Sequence, residues 1–464
     1  MKKKFKTAFV IFNTLTKGNK FWGDFEMSFY SGLFDQAKSL NDLLVVLLRP
    51  GEERKNIETI NSFLKYCKKK KYDFIVFPSA WSPWLIKRSQ DFLKKPIYFL
   101  DSLDRNTGSI GNRNKLTNLV KNLIKKEKID FRKYFKPNFN YDKIFGAPRL
   151  RQEVASIGAS RCLYTKGIKD NYFYKTLNKN FVNKWRGCAY CFSAMNDKEI
   201  PTREKVETIK RQLVYLQKNL PYLKRVLFAF PEDLFDPIEI LLQDNLKLKP
   251  LTFHIQLRPD VIVKKKKQIE RILNLMRKTK LSFYLSVVGF ENFSERELLI
   301  LNRGYKPEMN VKALKVLDYF FKKYPKEFVM KDAVASFILF EPFTRIDDLK
   351  ININSILKLK DKFSIFRNIN INKLRIDRGM ALYELAKKEG LVSKPGFEDE
   401  TEELTDLPRG GFRAGSVNYY FNETNVGLVY KIYHKILDKS PKIKKGINDK
   451  FLKIELLKKI VEII

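Results

Sequence analysis

Three cysteines are the residues best suited by type and spacing to carry chemistry. Cys162 follows a strand-like run, and Cys188 and Cys191 are separated by two residues in Arg186-Gly187-Cys188-Ala189-Tyr190-Cys191, beyond a basic, aromatic-rich insert. Thiolates are the ligands of iron–sulfur clusters, and a cluster held by three cysteines leaves one iron open to a substrate or cofactor. An aromatic such as Tyr190 beside the loop can shield a cluster from water and so tune its potential. Zinc is the competing reading: a structural site takes four ligands, and His254 could supply the fourth. The remaining cysteine, Cys67, sits among lysines on a helical pattern and reads as structural. A clustered trio plus one odd cysteine argues against a disulfide framework and for a reducing interior, so the expected location is cytoplasmic.

The elements that must position these thiols can be read from the rest of the chain. Its 464 residues allow two or three domains, each with its own core. The 44% hydrophobic content is that of a globular protein, with no apolar run long enough to span a bilayer, so no membrane association is expected. The start, Met1-Lys2-Lys3-Lys4-Phe5, lacks the apolar stretch of a secretory signal. Lys and Arg number 91 against 52 Asp and Glu, a net charge of +39 that would favour phosphates. The basic residues are nevertheless spread along the whole chain, mostly as lysine among abundant Asn, Ile and Phe. A nucleic-acid partner stays open without being favoured.

Residues 1–104 alternate short apolar runs (7–11, 43–48, 74–77 and 97–100) with helical patterns at 57–69 and 84–93. Strands spaced by helices predict parallel pairing in a doubly wound, Rossmann-like sheet. No Gly-x-Gly-x-x-Gly follows the first strand, so a dinucleotide role has no support. The turn-rich, lysine-rich stretch 105–150, ending around Pro137 and Pro148, reads as a linker. From 151 to 393 six strands are predicted, at 154–160, 226–230, 252–257, 283–290, 333–340 and 371–376. Helical stretches at 204–216, 238–243, 268–276, 295–301 with 311–321, and 347–359 lie between them. This predicts an α/β architecture in which the doubly wound sheet is followed by a partial (β/α)6 barrel, with chemistry at the carboxyl ends of the strands. Residues 394–464 are acidic, then Gly-rich, then helical, and read as a mainly helical extension able to cover the barrel mouth.

The cysteine loop resembles the end of the radical S-adenosylmethionine (radical SAM) motif, Cys-x3-Cys-x-aromatic-Cys, and Cys162-Leu163-Tyr164 resembles its start. The residue four before Cys188 is Lys184, so the motif is expanded by an insertion between its first and second ligands. Val287-Val288-Gly289-Phe290-Glu291 with Leu301-Asn302-Arg303-Gly304-Tyr305 is similar to the fourth-strand region of that family. Phe337-Ile338-Leu339-Phe340-Glu341-Pro342-Phe343-Thr344 is similar to its fifth. A barrel after a small doubly wound domain resembles the subgroup with a cobalamin-binding domain.

This resemblance implies a [4Fe-4S] cluster on Cys162, Cys188 and Cys191, whose open iron binds S-adenosylmethionine. By position, Glu232 answers to the methionine ammonium, Arg258 to its carboxylate, and Ser286 and Glu291 to the ribose side. Cobalamin stays open: the only histidines, His254 and His434, lie outside the first domain, so a histidine lower ligand from that domain is excluded. The implied reaction is hydrogen abstraction from a peptide or small molecule, leading to methylation, epimerisation or rearrangement, with a flavodoxin- or ferredoxin-type one-electron donor. Without a second cysteine trio, methylthiolation is not expected. The bland readings are that Glu232 and Asp233 cap a helix and that Glu291 and Arg303 form a structural ion pair. The rival function is a non-catalytic zinc- or nucleic-acid-binding protein on a degenerate barrel.

Overall fold

Apolar, β-branched and aromatic runs near the start of the chain form strands that pair in parallel. The computed structural model describes residues 7–16, 20–21, 42–48, 53–77, 97–99, 143–145, 151–152, 154–157, 162–191, 201–228, 231–244, 248–331, 333–393, 416–439 and 451–464. In the first sheet, β1 (Thr7–Thr16) lies between β3 (Asp42–Leu48) and β4 (Phe74–Phe77), both parallel to it. The strand β2 (Lys20–Phe21) turns back antiparallel to β1, and β5 (Ile97–Phe99) extends the sheet beyond β4. The stretch read as linker contributes a strand of its own, β6 (Lys143–Phe145), parallel to β3. The two-residue β7 (Arg151–Gln152) pairs with β2. Helix α1 (Glu53–Lys70) carries Ile60, Phe63, Leu64 and Cys67 into the core of this sheet at helical spacing. The pattern at 84–93 and the pair Trp81 and Trp84 lie outside the described residues.

The second sheet is entirely parallel. Its main strands follow chain order: β8 (Val154–Ile157), β9 (Arg225–Phe228), β10 (Leu251–Leu257), β11 (Leu281–Glu291), β13 (Val334–Phe340) and β14 (Ile369–Lys373). The short β12 (Phe328–Val329) also pairs with β11. Side chains alternate across each strand, so Phe228, Phe253 and Phe283 fall on one face within the main core, Phe228 stacked on Phe253 and Phe253 tilted against Phe283. Thr252, His254 and Gln256 alternate with the apolar residues of β10 and so take its other face, where Thr252 and Ser282 share a hydrogen bond at 3.1 Å.

The intervening helices cover the apolar face. They are α3 (Thr202–Asn219), α4 (Phe235–Gln243), α5 (Pro259–Lys264), α6 (Lys266–Met276), α7 (Glu295–Ile300), α8 (Pro307–Lys323) and α9 (Ile346–Leu359). Helix α6 shows why they form: Ile269, Ile272, Leu273 and Met276 recur on one buried face while Lys266 and Arg271 stay outside it. Ser294 caps α7 through the Glu297 N–H, and Pro307 starts α8 at a position where a missing N–H costs nothing. Each predicted segment at 204–216, 238–243, 268–276, 295–301, 311–321 and 347–359 falls inside one of these helices or within a residue of its end.

The predicted strand 371–376 divides instead. Its first half is β14, and its end becomes β15 (Ile376–Asp377), which turns to pair antiparallel with β16 (Ser416–Val417). Helix α10 (Ala381–Lys388) follows β15. The last helices, α11 (Thr424–Lys439) and α12 (Phe451–Ile463), bury Val426, Val429, Tyr433, Ile454 and Leu457 in the main core beside α9. Lys373, at the end of β14, points its ammonium into a set of three rings: Tyr419 at 4.6 Å, Tyr430 at 5.0 Å and Phe421 at 5.8 Å. The acidic and Gly-rich part of the extension lies outside the described residues. Among the described residues, no helix is long and apolar enough to cross a membrane.

Candidate functional site

The insert between Cys162 and Cys188 is folded. Asn178 caps the short helix α2 (Lys179–Lys184), and Ile168, Tyr174, Val182 and Trp185 enter a second core. That core also takes Ile300 and Leu301 from the end of α7, and Leu382 and Leu385 from α10. Tyr174 donates its hydroxyl to the Ile300 carbonyl, and Asn171 its amide to Leu299. The distance in sequence between the first and second cysteines is therefore taken up by a packed element.

The cysteine loop itself is fixed by backbone. The Ala189 N–H bonds the Leu301 carbonyl at 3.0 Å, and the Ala189 carbonyl accepts from Leu382 at 2.9 Å. The Cys191 N–H closes a turn onto the Cys188 carbonyl at 3.2 Å. Asn302 reaches the Gly187 and Lys166 carbonyls, tying the two ends of the insert together.

Two arginines converge on the middle cysteine. Arg258, which ends β10, and Arg303, which follows α7, each place an Nη1–H 3.3 Å from the Cys188 sulfur. Each guanidinium has its own carboxylate: Asp260 at 2.9 Å from Arg258 and Glu291 at 3.6 Å from Arg303. Each is also held by a carbonyl, since Arg258 donates to Arg303 and Arg303 to Gly289, both at 3.0 Å. Tyr190 bridges the second pair, donating to Glu291 at 3.1 Å and accepting from Arg303 at 3.0 Å. The Tyr164 ring faces the Arg258 guanidinium at 3.9 Å, and the Tyr164 hydroxyl donates to the Asn302 carbonyl at 2.5 Å.

Cys162 is half-buried and directs its thiol at the Tyr164 carbonyl, 3.9 Å away. Burial pushes that thiol up to about 12, with smaller contributions from Glu232 and Cys188 in the same direction. Those contributions mean that Cys162, Cys188, Glu232 and Arg258 share one electrostatic neighbourhood. Glu232 lies in a single helical turn at the end of β9, and burial raises its carboxyl to about 7 while Arg258 opposes the rise. Its neighbour Asp233 forms a buried ion pair with Lys205 at 2.6 Å. Cys67 is remote in role, buried under the first sheet, where burial pushes its thiol up.

Ser286 is the extra residue of a bulge in β11. The register against β10 passes from Leu285 to Val287, and the Ser286 hydroxyl donates across to the Ile255 carbonyl at 3.3 Å. A second irregularity at Phe290 brings Glu291 into line with Phe337 and leaves Glu291 with a positive φ of 61°. Its carboxylate then folds back onto Gly289, where a Cβ would stand 2.6 Å from Oε1 and the Glu291 side chain would have to shift.

Arg258, which sequence reasoning assigns to a ligand carboxylate, gives one donor each to Asp260, Cys188 and the Arg303 carbonyl. Glu291 and Arg303 do pair, yet as part of the group around Cys188 rather than apart from it. His254 lies four residues back along β10 from Arg258, roughly 13 Å at strand rise, with its ring on Tyr284. Burial and Arg225 lower its pKa to about 4. Among the described residues, no three His, Cys, Asp or Glu side chains form a group that could hold a metal ion.

Tyr164, Asn302, Gly304 and Tyr305 are the residues that sequence reasoning does not assign to the site. Asn302 and Gly304 both have positive φ, 51° and 74°, and flank Arg303 where the chain leaves α7. An Asn and a Gly just past a helical pattern signal a helix end; that such an end throws the intervening side chain inward is not written in the pattern. Compared with known proteins, the chain matches no family model and no curated protein sequence.

Proposed function

We propose that the chain is a radical SAM enzyme built on a partial (β/α)6 barrel that follows a doubly wound, cobalamin-domain-type sheet. The observation that carries this reading is the pair of guanidinium N–H donors on the Cys188 sulfur. Two cationic donors complement a thiolate and are poorly satisfied by a neutral thiol. Such a cysteine, in a turn with Cys191 and in the electrostatic reach of Cys162, would become part of an iron–sulfur donor set if the three thiols, which form no metal-holding group in this structure, draw together. The parallel strands in chain order, with an apolar face under helices and polar residues on the other, agree with a barrel whose lumen is polar.

On this reading Cys162, Cys188 and Cys191 would hold a [4Fe-4S] cluster. When bound, such a cluster supplies the electron that cleaves S-adenosylmethionine reductively, the chemistry on which hydrogen abstraction rests. The chain's own residues then have distinct tasks. Arg258 and Arg303 offset charge on Cys188, and Tyr190, packed between Arg303 and Glu291, keeps water from that sulfur. Glu232, buried and beside Arg258, is the carboxylate best placed for a ligand ammonium. Ser286 and Glu291 stay candidates for the ribose side, although Glu291 would have to serve Arg303 and the ligand together. Arg258 stays the candidate for the ligand carboxylate beside its contact to Cys188. The substrate is a peptide or small molecule, the electron donor a flavodoxin- or ferredoxin-type protein, the location cytoplasmic, and cobalamin an open second cofactor.

The test is anaerobic reconstitution with iron and sulfide, then dithionite and S-adenosylmethionine. Brown protein that forms 5′-deoxyadenosine is the expected result. Colourless protein carrying stoichiometric zinc would overturn the reading.

A further inference from the structure

We propose that the folded insert between Cys162 and Cys188 is a docking surface for single-stranded RNA. This goes beyond the function proposed above and does not depend on what the cysteines hold. The stretch 162–191 has six cations, Lys166, Lys169, Lys175, Lys179, Lys184 and Arg186, against one acid, Asp170. The whole chain has 91 against 52, so the insert is far more one-sided than the general basicity of the protein. All six cations are exposed. They sit on a packed scaffold, because Ile168, Tyr174, Val182 and Trp185 are buried in the second core. Lys388 of α10 ties down the same element by donating to the Thr176 carbonyl at 2.8 Å. A polyanion laid along this surface releases counterions without first having to order it.

Five of the six cations are lysine, a residue depleted at protein–protein interfaces but effective against phosphate as a point charge. Charge complementarity therefore favours a phosphate backbone over an acidic protein. An exposed ring selects the strandedness. Tyr172 is 54% exposed in the turn Tyr172–Tyr174, with its ring centroid 4.0 Å from that of Phe173. The Arg296 guanidinium lies 5.6 Å from the Phe173 ring and is itself held by Asp348 at 2.7 Å, which anchors the platform. A ring of this kind beside cations stacks an unpaired base, whereas a duplex keeps its bases in its own stack. Asn180 and Asn183, exposed on α2, carry amides able to donate to and accept from a 2′-hydroxyl, which favours RNA over DNA.

The experiment is fluorescence anisotropy of the full-length protein with a labelled oligouridylate of about twelve nucleotides, over a range of salt concentrations. The triple variant Lys169→Gln, Lys175→Gln, Lys179→Gln is expected to weaken binding about tenfold and to flatten the log–log salt dependence by about 2. Removing the same charge elsewhere, as Lys218→Gln, Lys312→Gln, Lys315→Gln on α3 and α8, should change affinity less than about twofold. Tyr172→Ala should lose about fivefold or more, and Tyr172→Phe should keep wild-type affinity. Equal losses from the two triple variants overturn the proposal, because general basicity then explains binding. Equal affinity for duplex RNA or for the matching deoxyoligonucleotide overturns it too. Displacement by polyglutamate as readily as by unlabelled oligouridylate assigns the surface to an acidic protein instead. Circular dichroism checks folding, and if Tyr172→Ala does not fold, the lysine variants decide alone. Protein that binds RNA but loads no cluster keeps this inference and loses the proposed function. Protein that loads a cluster and binds no RNA does the reverse.

Discussion

The Tyr164 ring lies 3.9 Å from the Arg258 guanidinium that touches the Cys188 sulfur. The residue two past the first cysteine thus packs on the arginine serving the second, across an insert that the sequence alone shows only as a gap. This contact links the segment carrying Cys162 to the loop carrying Cys188 without a direct bond between the thiols.

Loss of that stack should be measurable. Tyr164→Leu removes the ring from a buried guanidinium and the hydroxyl bond to Asn302, a combined cost of about 1–3 kcal/mol. Tyr164→Phe keeps the ring and should cost roughly 1 kcal/mol. Urea unfolding midpoints separate the two, and equal midpoints for Leu and wild type would show that the stack is incidental.

Gly304 should be intolerant of a side chain. Its φ is +74°, and a Cβ would stand 2.5 Å from the Tyr164 hydroxyl oxygen. Gly304→Ala is expected to destabilise by about 1–3 kcal/mol, with part of the loss relieved in a Tyr164→Leu background. A double-mutant cycle that gives simple additivity would rule out the steric coupling.

The four cysteines should divide three to one. Cys162→Ala, Cys188→Ala and Cys191→Ala are each expected to abolish loading of iron and sulfide under anaerobic reconstitution. Cys67→Ala should load fully and lose about 1 kcal/mol of stability through the small cavity left under the first sheet. Iron and sulfide analysis with visible absorbance decides, and full loading by Cys162→Ala would remove that residue from the site.

Glu341, at the end of β13, predicts a pH dependence of stability. Its carboxyl is fully buried next to Glu297 and Asp348, with Arg296 the nearby cation, and burial raises it from 4.5 to about 7. Between those values the folded chain keeps a proton that the unfolded chain has released. Its contribution is therefore complete below about pH 4.5 and is lost as pH rises through about 7. Glu341→Gln, which never ionises, should be more stable than wild type at pH 8, on the order of 1–3 kcal/mol, and show no such gain at pH 5. Chemical denaturation at the two values is the measurement; an equal difference at both would refute the assignment.

Lys205 and Asp233 form a pair whose side chains are each 6% exposed. Lys205→Met leaves a buried carboxylate without its cation and should cost about 3–5 kcal/mol. Replacing both, as Lys205→Met with Asp233→Leu, should recover most of that loss. A double variant no better than the single would count against the pair.

Much of the parallel sheet was legible because apolar runs at period two, separated by amphipathic stretches, have few other ways to bury themselves. The strands at 252–257 and 283–290 and the helix at 268–276 show this, since each has strong periodicity and clear ends. The division of 371–376 was not legible, because an antiparallel partner at Ser416–Val417 lies some forty residues further on and leaves no local mark. The strand Lys143–Phe145 is three residues long within a lysine-rich stretch, too short for a pattern to register. At the site, residue types and spacing singled out Cys162, Cys188 and Cys191, and the family resemblance pointed to Glu232 and Arg258. They could not show that Arg258 and Arg303 share one sulfur, because that depends on a helix ending in Asn302 and Gly304 and on an insert that folds back through Tyr164.

The ring set around Lys373 has a consequence for how the end of the chain is fastened. Tyr419, Phe421 and Tyr430 attract the ammonium through ring quadrupoles, and they belong to the segment leading into and through α11. Dissolved ions weaken attraction between exposed charges of opposite sign, whereas contact with a partly desolvated aromatic face is much less sensitive to them. In a chain with a net charge of +39, added salt also relaxes mutual repulsion among lysines. The C-terminal helices should therefore stay docked in brine that loosens exposed ion pairs such as Lys306–Glu295.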